Sequence, residues 1–288
     1  MSRSIAGKIK INSFADLVGG EQDGAIEVPL TDLHDFHDHP FRVIDDEKMD
    51  ETVQSIKEYG VLVPGIVRPI PDGGYELISG HRRKHACELA GLKTMPVLIR
   101  NYSDDESVCI MVDSNIQRED ILPSEKAKAY RMKYEAMKHQ GCKDGGVSLD
   151  EIGKSSGESR KSVQRYIWLS NLNENLLDLV DRKIMPLMVG VDLSFLKPKE
   201  QDWVYKCFFE LKKQISLKQS AMLKAESQNG TLSYGNIREI IGGVPRSDKR
   251  ITLKMDRIME FFPEDISIKE IEDIIYELLE KRKAEGKG

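Results

Sequence analysis

The chain has 288 residues, of which 40% are hydrophobic and 32% charged, and its formal net charge is −5 at pH 7. That is enough for about two domains with buried cores. The excess of 48 acidic over 43 basic side chains excludes a globally basic nucleic-acid binder, so any such role must rest on a local patch.

No apolar run approaches the ~20 residues of a membrane helix. The opening residues, Met1 to Gly20, have no continuous apolar stretch before a small-residue cleavage site, as a secretory signal would. Cys87, Cys109, Cys142 and Cys207 are scattered without a Cys-x-x-Cys pair. Such spacing suits reduced thiols in a cytoplasmic protein, not a disulfide framework or zinc site.

In chain order, residues 1–24 are polar and glycine-punctuated and are expected to form a mobile tail. Ile26–Val28 is a candidate strand. Glu47–Glu58 places Met49, Val53 and Ile56 at helical spacing, and Gly60 ends that helix. Gly65–Ile70 and Tyr75–Ser79 are predicted strands joined by the turn Pro71-Asp72-Gly73-Gly74. A helix at His81–Ala90 stops at Gly91, and Met95–Ile99 is a third strand.

Beyond residue 100 the pattern becomes almost wholly helical. Asp104–Gln117 and Pro123–Gln140 are long helices, the second opening on a proline that needs no N–H there. Gly141–Gly146 is a loop, and two short helices occupy 148–172. The segment around Trp203–Phe209 is expected in the core of a helical layer. Gly242–Asp248 has linker composition, and 251–283 is a small tail domain ending in an amphipathic helix with Ile271, Ile274, Ile275, Leu278 and Leu279.

Three constellations carry chemistry. Ser79-Gly80-His81-Arg82-Arg83 lies between a strand and a helix, where a glycine turn, free helix N–H groups and forked donors suit phosphate; the competing expectation is a solvated turn. Asp113–Asp120 gathers amide and charged groups at a helix break, where a polar connector is the plainer expectation.

The third is a helix-turn-helix at 148–172, with Ser148–Glu151 as a capping box, Gly153 at the helix crossing, Gly157 in the turn, and Val163 and Ile167 facing inward. Its second helix begins Ser159-Arg160-Lys161-Ser162. Cations there oppose the macrodipole, which makes sense if phosphates or base edges come to meet them. Gln164 and Arg165 extend that face. Lys126, Lys128, Arg131, Lys133, Lys138 and Lys143 add a basic stretch just upstream. His34, His37 and His39 lack the spacing of a metal site.

Pro40 to Asp120 resembles the N-terminal domain of ParB partition proteins. The likeness runs through His39-Pro40, Ser55–Pro64, Gly80–Arg83 and Asn115–Asp120, and the helix-turn-helix falls where that family carries its DNA reader. The resemblance implies an α+β chain. A small ParB/sulfiredoxin-like α/β nucleotide-binding domain at 25–120 follows the tail at 1–24. A helical DNA-binding domain at 121–241 precedes a linker and small C-terminal domain, a candidate dimerisation unit, at 242–288.

It also implies a cytoplasmic, nucleoid- or plasmid-associated homodimer. That dimer loads on double-stranded DNA at a palindromic centromere-like site, binds CTP and Mg²⁺, slides as a clamp, and works with a ParA-type ATPase. The family's basic N-terminal peptide would correspond to the tail with Arg3, Lys8 and Lys10.

The implied nucleotide site comprises Gly80, His81, Arg82, Arg83, Ser114, Asn115 and His39, with Asn115 toward the metal. The implied DNA site comprises Ser159, Arg160, Lys161, Ser162, Gln164 and Arg165. Three positions depart from the family: His81 stands where Glu is common, His39 where Gln is usual, and Ser114 where a metal-holding Glu is expected. The last bears on hydrolysis, a weak switch-like CTPase, more than on binding; Asp113 is the neighbouring carboxylate. An operator-binding transcription regulator or nucleoid-associated factor of the same architecture, which does not spread, is the alternative. A phosphotransferase on the same N-terminal fold is disfavoured, because the Gly-Cys-His-Arg signature of sulfiredoxin lacks its cysteine here.

Overall fold

The computed structural model describes residues 24–118, 120–139 and 148–243, with scattered positions between 261 and 278. The expected tail with Arg3, Lys8 and Lys10, the 141–146 loop with Cys142 and Lys143, and most of the linker and tail domain lie outside the described residues. The chain divides into two compact units between Gly243 and Val244.

In the first unit the strands β1 (Ile26–Pro29), β2 (Leu33–Asp35), β3 (Gly65–Pro69), β4 (Tyr75–Ser79) and β5 (Thr94–Ile99) form one mixed sheet in the order β1-β5-β3-β4-β2. β5 runs parallel to β3 and antiparallel to β1, whereas β4 runs antiparallel to β3 and parallel to β2. The central strands are apolar on both faces, as a sheet covered on both sides requires. Val67 and Leu77 face a core with Met49, Ile56, Ala86 and Cys87, and Ile66 and Ile78 face another with Ile110, Met111 and Tyr130. β2 was not expected: it is short, and only Leu33 of it is buried. Its strand state comes from pairing with β4, which overrides a polar local sequence.

Helix α1 (Glu47–Tyr59) covers the first face together with α2 (His81–Ala90). Asp46 caps α1 by accepting the Met49 N–H at 2.9 Å. Helix α3 (Asp104–Asn115) opens with a capping box, in which Ser103 and Glu106 satisfy each other's backbone N–H groups. It packs against α4 (Pro123–His139) on the other face.

Helices α5 (Leu149–Lys154) and α6 (Arg160–Leu169) follow. Contrary to expectation, the Ser148 side chain makes no cap bond. The N–H groups of Glu151 and Ile152 donate instead to the Ser148 carbonyl, at 3.0 and 3.2 Å. This short helix is held by burial of Leu149, Ile152 and Gly153.

The remaining helices, α7 (Glu174–Asp181), α8 (Leu187–Leu193), α9 (Pro198–Leu211), α10 (Leu217–Gln228) and α11 (Tyr234–Gly242), enclose a third core. In α9 the helical period turns Val204 and Cys207 inward, while Phe209, expected in the core, is 51% exposed. Among the described residues no helix is long and apolar enough to cross a membrane. In the second unit Ile271 is buried, whereas Ile274 and Leu278, expected on the same apolar face, are exposed.

Candidate functional site

β4 passes into α2 through Gly80, whose φ of 118° favours glycine. A Cβ there would lie 3.3 Å from the Gly65 Cα and from the Met95 Cε, so the turn is tight as well as left-handed. The first turn of α2 holds no acidic residue, and Gly80 supplies no side-chain cap. Its leading N–H groups therefore remain available to an anion.

The two arginines of this turn differ in role. Arg83 Nη1 donates to the carbonyls of Val63 and of Pro64, the latter at 2.8 Å. Burial pushes its guanidinium pKa below the ordinary value. Arg83 clasps the Val61–Pro64 loop to the turn. Arg82 donates from Nη2 to the Asp46 carboxylate at 3.1 Å across a partly open surface.

Beside Arg82 lies Arg118, which the motif reading did not single out. Burial, followed by the Arg82 charge, pushes its pKa down. Arg118 forms no ion pair within 4.0 Å among the described residues, although the charges of Glu125, Asp46 and Asp120 act on it in the opposite sense to Arg82. Arg118 lies in the run Asn115-Ile116-Gln117-Arg118, but its interaction with Arg82 arises from the tertiary fold.

His39 and His81 stack with ring centroids 3.8 Å apart. His39 Nδ1 lies 2.7 Å from the Phe41 carbonyl, which only accepts, so the hydrogen sits on Nδ1. The His39 Nε2 is buried without a partner. His81 Nε2 accepts the Phe36 N–H at 3.4 Å. Burial, then the neighbouring imidazole, pushes the His81 pKa down to about 3; burial also lowers that of His39. Both rings are neutral packing pieces behind the turn at pH 7. No group of three or more metal-ligating side chains occurs among the described residues.

At the end of α3, Ser114 Oγ and Asn115 Nδ2 both donate to the Met111 carbonyl, at 3.0 and 2.9 Å. Asn115 keeps its amide oxygen, but Ser114 offers no carboxylate. Asp113 does not replace it, because its carboxylate holds the buried Lys133 ammonium at 2.5 Å. The residues present thus fit a phosphate group but leave no carboxylate at 113–115 for a cation.

The helix-turn-helix is close-packed at its crossing. A Cβ on Gly153 would meet the Glu158 carbonyl oxygen at 2.3 Å, and Val163 and Ile167 are buried beneath. Ser159 caps α6, its hydroxyl accepting the Ser162 N–H at 3.2 Å. Arg160, Lys161 and Arg165 are exposed and form no ion pair among the described residues. Gln164 is half-buried, and the Ser162 hydroxyl is committed to Glu158 at 2.5 Å.

The basic stretch of α4 does not act as one face. Lys133 is buried against Asp113, Lys126 pairs with Glu158 at 3.1 Å, and Arg131 pairs with Glu135; Lys128 and Lys138 are exposed.

A family model described as the ParB N-terminal domain matches residues 17–116. The probable chromosome 1-partitioning protein ParB of Deinococcus radiodurans is 31% identical over 219 residues, covering 76% of this chain and 71% of that protein. The chromosome-partitioning protein Spo0J of Thermus thermophilus is 29% identical, with 70% of each chain covered. The crystal structure of a C-terminally truncated ParB from Caulobacter crescentus, complexed to the centromeric parS site, is 24% identical; the match covers 71% of this chain and 99% of that one, with a TM-score of 0.44. With a turn and a helix-turn-helix built as above and relatives of this extent, the chain belongs to the ParB family of partition proteins.

Proposed function

We propose that the protein is a sequence-specific binder of double-stranded DNA that loads at a palindromic, centromere-like site and couples loading to CTP bound at the Gly80 turn. The carrying observation is the first turn of α6, where Arg160 and Lys161 stand exposed and, among the described residues, without an ion pair, at the helix end that disfavours cations. Phosphates or base edges supply the compensating charge. Arg165 extends this surface, with Ser159 shaping the helix start.

For the nucleotide, Gly80 and the first N–H groups of α2 form the phosphate cradle, with Arg82 and Arg118 as guanidinium donors. Arg83 holds the loop, and His39 and His81 pack behind it. Mg²⁺ would arrive with the triphosphate, since Asn115 offers only an amide oxygen and no carboxylate accompanies it. Closure into a sliding clamp, a homodimer, a ParA-type ATPase partner and association with the nucleoid or a plasmid complete the reading on grounds of family membership.

The test pairs two variants. Arg160→Ala is expected to lower specific DNA binding by ~1–3 kcal/mol and spare CTP binding, while Arg82→Ala is expected to weaken CTP binding and spare recognition of a single DNA site. Loss of both activities in each variant refutes this assignment. A map of occupancy on DNA in the host cell then separates a sliding clamp, with a zone decaying from one site, from an operator binder with one narrow peak.

A further inference from the structure

Arg82, the arginine of the Gly80 turn that is not tied to the Val63 and Pro64 carbonyls, is already engaged by an anion of the chain itself. Asp46 stands at the N-terminus of α1, where its Oδ1 accepts the Met49 N–H at 2.9 Å and a hydrogen bond from Arg82 Nη2 at 3.1 Å. The bond from Arg82 is the chief reason that the Asp46 carboxyl lies below the usual carboxylate range. The charges of Glu125, Asp46 and Asp120 also act on Arg118, and Lys48, in the first turn of α1, holds Asp120 at 2.5 Å. The Asp46 carboxylate therefore stands on the guanidinium that a phosphate at this turn would have to approach.

We propose that Asp46 is an intramolecular competitor for the anion that Arg82 binds, a binding-site residue that raises the charge a ligand must carry to enter. The inference rests on the reading of the Gly80 turn as a phosphate site. The Arg82–Asp46 pair is partly open to solvent on both sides, with side chains 23% and 42% exposed, so it opens at low cost. A polyphosphate offers Arg82 more charge and reaches the free N–H groups of α2 at the same time. A weakly charged anion gains too little to displace the carboxylate. Because Asp46 is tethered by its cap role, it remains beside the occupied site and continues to repel the ligand.

Asparagine caps a helix about as well as aspartate, so Asp46→Asn removes the charge while keeping the bond to Met49. The neighbouring Glu47→Gln serves as control: it removes a charge from the same turn, at a side chain with no hydrogen bond or ion pair to an arginine among the described residues. Calorimetric titration of the full chain with CTP, and separately with inorganic tripolyphosphate, is the assay. Asp46→Asn is expected to tighten both by roughly three- to fivefold at low salt, with the gain shrinking as salt rises. Glu47→Gln is expected to stay within about twofold of the parent.

If the parent binds CTP and Asp46→Asn binds it equally or more weakly, the competitor role is overturned and the phosphate site stands. Equal tightening by the two variants also overturns it, as a general charge effect. If neither parent nor variant binds CTP or tripolyphosphate, the phosphate-site reading falls and the competitor role with it.

Discussion

Gly153→Ala tests the helix-turn-helix at its closest contact. The added methyl carbon would stand 2.3 Å from the Glu158 carbonyl oxygen and 3.1 Å from a Val163 methyl. An ordinary contact needs roughly 1 Å more from that oxygen. The oxygen has little freedom to retreat, because the Glu158 N–H donates to the Gly153 carbonyl at 3.1 Å and its carboxylate is shared by Lys126 and Ser162. Overpacking of this kind costs about 1–3 kcal/mol, and backbone against backbone belongs at the upper end. Alanine returns up to about 1 kcal/mol through its better helix propensity. The net expectation is a loss of about 2 kcal/mol, or a fall of ~4–8 °C in Tm for a unit of this size. Gly157→Ala is the comparison: its φ is 68°, but nothing lies within 4 Å of the new Cβ, so only the left-handed strain of ~1–2 kcal/mol remains. Thermal unfolding followed by circular dichroism, with specific DNA binding measured on the folded protein, separates the two. Gly153→Ala should also impair DNA binding by moving α5 off α6, whereas Gly157→Ala should leave it near the parent. A Gly153→Ala protein as stable as the parent, with DNA binding intact, would refute the steric argument.

Two further expectations follow from the site. Arg83→Ala removes charged donors from the Val63 and Pro64 carbonyls and should cost about 1.5–3 kcal/mol in chemical unfolding, with Arg82→Ala melting like the parent; equal melting of the two variants would contradict the clasp role. His81 has a pKa of about 3 when folded against 6.5 when free, so the unfolded chain binds the extra proton and the folded state loses stability as pH falls from 6.5 toward 3, with the full contribution present above 6.5. His81→Gln keeps an acceptor for the Phe36 N–H and should flatten that part of the stability–pH curve; an unchanged slope would count against a buried neutral imidazole.

Much of the scaffold was legible because its signals are local. Gly60, Gly91 and the 71–74 turn punctuate α1, α2 and the β3–β4 hairpin, and Met49 and Ile56 mark the buried side of α1. The helix-turn-helix could be read from Gly153, Gly157, Val163 and Ile167, each required by local geometry or burial. β2 was missed because His34 and Asp35 have no strand preference apart from their register with Glu76 and Leu77. The different fates of Arg82 and Arg83 were invisible for another reason. Successive helical side chains diverge by about 100°, and the direction facing inward is decided by a loop about twenty residues upstream. Similarly, a count of basic residues on α4 treats Lys133 as surface charge, although Asp113, from the preceding helix, draws it into the interior. Ser148 has the sequence of a capping box without its side-chain bond.

The Gly80 turn and α6 stand on one shared interior. Ile78, two residues before Gly80, belongs to the same apolar core as Met111 and Ile116 of the α3 end, Tyr130 of α4, and Val163 and Ile167 of α6. Polar ties run alongside it. Gln117 donates to the Ser155 carbonyl at 2.6 Å, and Tyr130 and Ser156 share a hydrogen bond of 2.6 Å, both at the turn between α5 and α6. Lys126 holds Glu158, which in turn holds Ser162 in the first turn of α6. Close-packed interiors do not deform continuously, so a shift of the 114–118 segment would meet resistance at the start of α6. The charged side chains of the two segments, Arg82 on one side and Arg160 with Lys161 on the other, lie outside this core. Their removal is expected to leave this core intact, whereas a substitution at Gly153, Tyr130 or Val163 alters the packing itself.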